Sequence, residues 1–204
     1  KGINEVIRQV QKVSEAEQEK FSNKGRVGKS IRIMILGIPN VGKSSFINRI
    51  TKKNTAQVGN KPGVTRQKQW IRLQDGIELM DTPGVLWPKF ESEEVGMNLA
   101  FTGSIKDDIL EKTEIAFQLL KYLVNNYLDN GIERYKLDKT VIENIMQKDE
   151  EENDKVLEIL DIIAKKRGAI LSGGRIDYEK ISIILLDEFR SAKIGRITLE
   201  KAKI

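Results

Sequence analysis

Apolar and polar positions change their period along the chain. Ile3, Val6, Ile7, Val10 and Val13 recur at helical spacing with Arg8, Gln9, Lys12 and Glu15 between them, which predicts an amphipathic helix over 3–21. Residues 22–29, Ser-Asn-Lys-Gly-Arg-Val-Gly-Lys, form a basic, glycine-punctuated linker. Ile31-Arg32-Ile33-Met34-Ile35-Leu36 is apolar on both faces, as in an interior strand of a helix-covered sheet. The segment 45–50 is compatible with a helix, and 54–65 is polar, glycine-rich and loop-like. Gln67–Leu73 and Ile77–Met80 are short strand-like runs on either side of Asp75-Gly76, a hairpin signal.

From about residue 105 the pattern turns helical without strands. Ile115, Leu119, Tyr122 and Leu123 share a helix face that should stop at Asp129-Asn130-Gly131, glycine being the usual left-handed cap. The acidic run 149–154 reads as a solvated loop. Val156, Leu160 and Ile163 mark a helix ending near Gly168. Asp177 is a candidate N-cap for a helix over 178–192, whose Ile181-Ser182-Ile183-Ile184-Leu185-Leu186 should sit centrally in a small bundle. The expected organisation is an α/β P-loop domain, 1–104, followed by a small all-α domain, 105–204.

The candidate chemistry lies where strands end. Gly37 to Ser44 reads G-I-P-N-V-G-K-S, and strand, G-x-x-x-x-G-K-[ST], helix is the context of a phosphate-binding P-loop. Backbone N–H groups and the helix N-terminus would converge on phosphate. Lys43 would reach the β- and γ-phosphates and the Ser44 hydroxyl would coordinate Mg²⁺. The second strand-like run ends in Asp81-Thr82-Pro83-Gly84, where an aspartate delivered by an apolar strand would hold Mg²⁺. Thr65, in Pro62-Gly63-Val64-Thr65, lies between the two motifs where a switch threonine would close over the metal and the γ-phosphate.

Charge and composition narrow the classes. The net charge of +5 divides into 17 Lys+Arg against 10 Asp+Glu over 1–104, and 18 against 20 over 105–204. The basic half is therefore the phosphate-binding half, which is weak support for a nucleic-acid partner. There is no cysteine and no histidine, which removes disulfides, thiolate metal sites and imidazole bases from this chain. No window has the apolar length of a membrane span and no N-terminal stretch resembles a signal peptide. A cytoplasmic location fits these features.

At G-I-P-N-V-G-K-S, P-G-V-T and D-T-P-G-V-L-W-P-K the chain resembles the circularly permuted GTPases of ribosome assembly. The resemblance continues through Lys166-Arg167-Gly168, Ser172-Gly173-Gly174 and Gly195-Arg196. It implies a GTPase acting in maturation of the large (50S) ribosomal subunit, with GTP/GDP, Mg²⁺ and K⁺ as cofactors and rRNA contacted by the helical domain. It further implies nucleotide contacts from Asn40, Val41, Gly42, Lys43, Ser44, Ser45 and Gly84, and catalytic roles for Lys43, Thr65 and Gly84. Mg²⁺ would be served by Ser44, Thr65 and Asp81, and K⁺ by Asn40. The guanine-reading N-K-x-D does not occur over 85–204, and Asn60-Lys61-Pro62-Gly63 lacks the aspartate. In the permuted family that motif precedes the P-loop, so the expectation is a piece that begins after it. Two alternatives stay open: an RNA-binding module with a vestigial nucleotide site, and a related P-loop GTPase acting on another RNA.

Overall fold

Helical and strand periods separate along the chain in the computed structural model, which describes residues 2–23, 30–51, 69–72, 77–86, 90, 92–105 and 111–201. The element order begins α1 (Ile3–Ser22), β1 (Ile31–Ile35), α2 (Lys43–Thr51), β2 (Gln69–Arg72) and β3 (Ile77–Asp81). It continues α3 (Glu93–Phe101), α4 (Lys112–Asn126), α5 (Leu128–Tyr135), α6 (Lys139–Gln147), α7 (Glu152–Lys166) and α8 (Tyr178–Arg190). The chain forms two units, Lys1–Lys89 and Phe90–Ile204. The division falls ahead of the 104/105 boundary drawn from the apolar pattern, because α3 joins the helical core through Ala100 and Phe101.

In the first unit β1 pairs parallel with β3, and β2 pairs antiparallel with β3, giving the order β1-β3-β2. The two strand-like runs do form an antiparallel pair, although the turn expected at Asp75-Gly76 lies outside the described residues. Alternation sorts the side chains. Ile35, Leu79 and Ile71 pack with Ile47 of α2. The opposite face carries Arg32, Glu78 and Arg72 side by side in register. Glu78 accepts from Arg32 at 3.2 Å, Arg72 lies 3.6 Å from it, and the Arg32 guanidinium stands 4.9 Å from the Trp70 ring centre.

Strand β1 has the apolar faces of an interior strand but too few described neighbours to cover them. Among the described residues it is an edge strand, and the interior position belongs to β3. Met34 and Leu36 are 51% and 66% exposed, so the second apolar face of β1 is not covered. Helix α1 turns differently from its apolar pattern. Val6 and Val13 are exposed while Ser14 is buried, which moves the packing face toward Ile7, Val10 and Ser14. No helix among the described residues is long and apolar enough to cross a membrane.

The second unit is built around α4, which packs on α3, α5, α7 and α8. Its core runs from Ala100 to Ile194 and includes Leu119, Leu123, Ile142, Ile159, Ile163, Ile181 and Leu185. Asp177 caps α8 by accepting from the Lys180 N–H at 2.9 Å, and Gly168 takes φ 65° just beyond α7. Both expectations for this loop hold.

Other boundaries are corrected. Gly131 does not end a helix; it lies inside α5, and Lys136 at φ 50° supplies the left-handed cap. Leu128, Ile132 and Tyr135 recur at helical spacing and pack on the core, which outweighs the cost of about 1 kcal/mol for a helical glycine. The acidic run is not all loop, because Glu152 and Asp154 form the first turn of α7, where negative charge is favoured by the helix dipole. Helices α3 and α6 had no counterpart in the hydropathy reading. Each opens on a cap visible in the sequence: Ser92 accepts from the Val95 N–H, and Asp138 from those of Thr140 and Val141.

An ion triad fastens this unit. Glu188 is 3% exposed. It receives Arg134 through two bonds, at 3.0 and 2.8 Å, and Arg167 through a third contact. Arg190 is likewise occupied, donating to the carbonyls of Phe101 and Ala100 at 3.0 and 2.9 Å.

Candidate nucleotide site

The parallel pairing of β1 and β3 sets Ile35 beside Asp81, so both strands release their loops at the same edge of the sheet. After β1 the chain turns at Pro39-Asn40, with Asn40 at φ 60°, and reaches Gly42 at φ 89°. Helix α2 starts at Lys43, and the Phe46 N–H donates to the Gly42 carbonyl at 2.8 Å. The first turn of α2 holds no acidic residue, which leaves its positive end available to an anion.

Lys43 folds back over the loop, its ammonium donating to the Ile38 carbonyl at 2.8 Å. Gly37 makes room for that path: a Cβ there would meet Val41 Cγ2 at 3.3 Å and Lys43 Cδ at 3.5 Å. Burial lowers the Lys43 pKa, and the nearby Asp81 carboxylate works against that shift. An ammonium with part of its hydration removed is predisposed to accept an anionic partner.

Asp81, at the end of β3, is 1% exposed. The Ser44 hydroxyl donates to its Oδ2 at 3.4 Å. A hydroxyl and a carboxylate oxygen at the mouth of a phosphate loop are hard donors of the type Mg²⁺ takes, so these residues fit the ion. Val41 in the loop and Ser45 in the first turn of α2 are exposed. Thr65 lies outside the described residues.

The D-T-P-G segment is stitched to the P-loop at two points. The Thr82 hydroxyl donates to the Ile35 carbonyl at 2.6 Å, and the Val85 N–H donates to the Gly37 carbonyl at 3.2 Å. Gly84 lies between these bonds, against Pro39. The sequence reading passed over Thr82 and Pro39. The only signal for Thr82 was its place just after Asp81, where a buried hydroxyl needs an acceptor and the neighbouring strand end supplies one.

The chain matches the pattern of the family described as 50S ribosome-binding GTPase over residues 32–166. A protein named Ribosome biogenesis GTPase A from Bacillus pumilus is 40% identical over 200 residues, which cover 98% of this chain and 67% of that protein. The protein of the same name from Bacillus cereus is 40% identical over 199 residues, covering 98% and 63%. The chain thus spans 63–67% of the length of these curated relatives. Among solved structures, GDP-bound YlqF of Thermotoga maritima has a TM-score of 0.52 at 22% identity, covering 94% of this chain and 78% of that one. At that identity the likeness is one of fold. A P-loop between parallel strands, an aspartate on the adjacent strand end and a sequence match over 32–166 lead to one assignment: the chain belongs to the 50S ribosome-binding GTPase family.

Proposed function

We propose that this site binds GTP and GDP with Mg²⁺, hydrolyses GTP, and so controls attachment of the protein to the large ribosomal subunit during its assembly in the cytoplasm. In this reading the GTPase domain is circularly permuted and the helical unit contacts rRNA. The observation that carries it is a pair of internal contacts, Lys43 with the Ile38 carbonyl and Ser44 with Asp81. Both can be exchanged for ligand contacts without rebuilding the loop. Lys43 would leave its carbonyl for the β- and γ-phosphates, and the phosphate oxygens would meet N–H groups at the α2 N-terminus. Ser44 and Asp81 would hold Mg²⁺, which neutralises charge developing on the transferred phosphoryl group. Asn40 to Ser45 and Gly84 would line the nucleotide, and Thr65 takes the switch role from its place in the chain.

Val85 follows Gly84, where many GTPases place a glutamine that orients the attacking water. An aliphatic side chain makes no such hydrogen bond, so turnover should be slow alone and faster on the ribosomal subunit. Asn40 is assigned to K⁺, as a second source of positive charge.

The test is Lys43→Ala in the full-length protein. Its loss removes a point charge while costing the fold about 1 kcal/mol, the worth of one hydrogen bond. GTP turnover should fall by about 10²-fold or more, with the circular dichroism spectrum retained. Unchanged turnover in the variant would refute the assignment.

A further inference from the structure

The K-R-G and S-G-G motifs near the end of the chain are not used by the nucleotide site, and the structure shows what they build. Lys166 closes α7, Gly168 caps it, and the chain runs through a tight hairpin into Asp177, the cap of α8. Ile170 bridges to Ile176, the Leu171 N–H donates to the Arg175 carbonyl at 2.8 Å, and the Gly174 N–H donates to Leu171 at 3.1 Å. The base is fixed by Ala169, fully buried, whose carbonyl accepts from the Asp177 N–H at 2.9 Å. Gly173 and Gly174 take φ of 85° and 80°, and a Cβ on either would meet nothing within 4 Å. The glycines are there for backbone shape, and the tip stands in open space.

We propose that this hairpin is a docking element for double-stranded RNA, resting its tip in the minor groove while the surrounding lysines and Arg175 hold the flanking phosphates. The inference builds on the proposed ribosomal role. Three elements supply exposed cations around the tip: Lys165 and Lys166 from the last turn of α7, Arg175 from the hairpin and Lys180 from the first turn of α8. Lys166 and Lys180 also donate to the carbonyls of Lys136 and Gly168, which orients their ammonium groups without neutralising them. The nearby acids are partly engaged. Asp177 accepts from the Lys180 N–H and Asp161 accepts from the Tyr178 hydroxyl at 2.9 Å, leaving Glu179 exposed. Arg167, by contrast, is held by Glu188 and belongs to the scaffold.

The tip decides between partners of different chemistry. Among the described residues the N–H groups of Ser172 and Gly173 make no backbone hydrogen bond. Beside them stand the Ser172 hydroxyl and the exposed side chains of Ile170 and Leu171. An A-form minor groove is wide and shallow and presents 2′-hydroxyls and base edges, which such donors can meet. Burying the same N–H groups in a lipid phase would leave them unsatisfied, so two apolar side chains and a ring of lysines are poor grounds for a membrane.

Fluorescence anisotropy on the 204-residue chain tests this with three probes: a 20-base-pair RNA duplex, the DNA duplex of the same sequence, and vesicles containing phosphatidylserine. The RNA should bind more tightly than the DNA, and the vesicles should not bind. Lys165→Glu with Arg175→Glu should weaken RNA binding about tenfold or more and lower the salt slope by about 2, because two phosphate contacts no longer release counterions. Gly173→Ala keeps every charge and distorts the tip. It should keep the salt slope and lose the preference for RNA. Equal affinity of the charge variant and the parent overturns the proposal, as does equal binding of the two duplexes or binding to vesicles alone. Nucleotide affinity measured on the same samples and on the full-length protein separates the two readings. A chain that binds GTP and no RNA overturns the hairpin assignment only; a full-length protein that binds RNA and no nucleotide overturns the proposed GTPase.

Discussion

Gly84 is pressed against Pro39: a Cβ added at Gly84 would lie 2.6 Å from both the Cα and the N of Pro39. Since those are backbone atoms, the P-loop itself would have to move. Gly84→Ala is expected to break the Val85 to Gly37 bond and to cost about 1–3 kcal/mol, the usual range for overpacking. Pro39→Ala in the same background removes only the ring carbon at 2.8 Å and should not restore stability. Thermal melts of the single and double variants, read with nucleotide affinity, check this. A Gly84→Ala protein that melts like the parent would mean that the two loops are not packed together in solution.

The potassium assignment can be tested with the turn held constant. Asn40 sits at φ 60°, so Asn40→Ala adds backbone strain of about 1–2 kcal/mol on top of removing the amide. Asn40→Gly removes the amide alone. GTP turnover of the parent should be faster in KCl than in NaCl at equal ionic strength, and both variants should lose that difference. Equal parent rates in the two salts would dismiss the ion.

Glu188 gives the helical unit a predictable acid limit. Burial on its own would raise its pKa, but the Arg134 hydrogen bond and the charges of Arg167 and Arg134 outweigh that and set it below the ordinary 4.5. A lowered folded-state pKa contributes stability that is present above the unfolded value and is lost as pH falls through the folded one. Melting temperature should therefore decline as pH drops below 4.5. Glu188→Gln should flatten part of that decline and cost about 3 kcal/mol at neutral pH by leaving two arginines uncompensated. Parallel pH profiles for parent and variant would remove Glu188 from the acid transition.

The open side of β1 predicts self-association. Among the described residues its backbone pairs only with β3, and Met34 is half exposed beside it. Uncovered strand edges recruit other strands unless charge blocks them. Sedimentation velocity should show concentration-dependent association of the parent, reduced by Met34→Lys. A monomer at all concentrations would mean that the edge is covered.

The P-loop and the Asp81 strand end were legible because phosphate chemistry demands a fixed spacing and fixed residue types. Long helices such as α7 and α8 were legible from sustained apolar periods and, at Asp177 and Gly168, from caps. Short helices were not. In α6 only Ile142 and Ile145 are buried, too brief a period to rise above its neighbours. Gly131 misled because a local cap signal was outweighed by the packing of Leu128, Ile132 and Tyr135. Strand β1 shows a different limit: an apolar run reports which faces can be buried, and the count of strand-like runs shows how few neighbours are present to bury them. The stitching by Thr82 and Val85 depends on the register between strands 46 residues apart in sequence, which no local pattern carries.

Among the described residues the two units differ in buried core. Beneath the sheet, Ile47, Ile71 and Leu79 are the cluster of buried residues, whereas the helical unit closes a continuous one from Ala100 to Ile194. Calorimetry should accordingly resolve a labile and a robust transition. A ligand that binds only the folded form adds stability as its concentration rises, about 2.7 kcal/mol at a hundredfold excess over Kd. With GTP as that ligand, only the lower transition would climb. The guanine-nucleotide supply would then govern how much of the first unit is folded at all, while the helical unit stays folded whether or not the nucleotide is present.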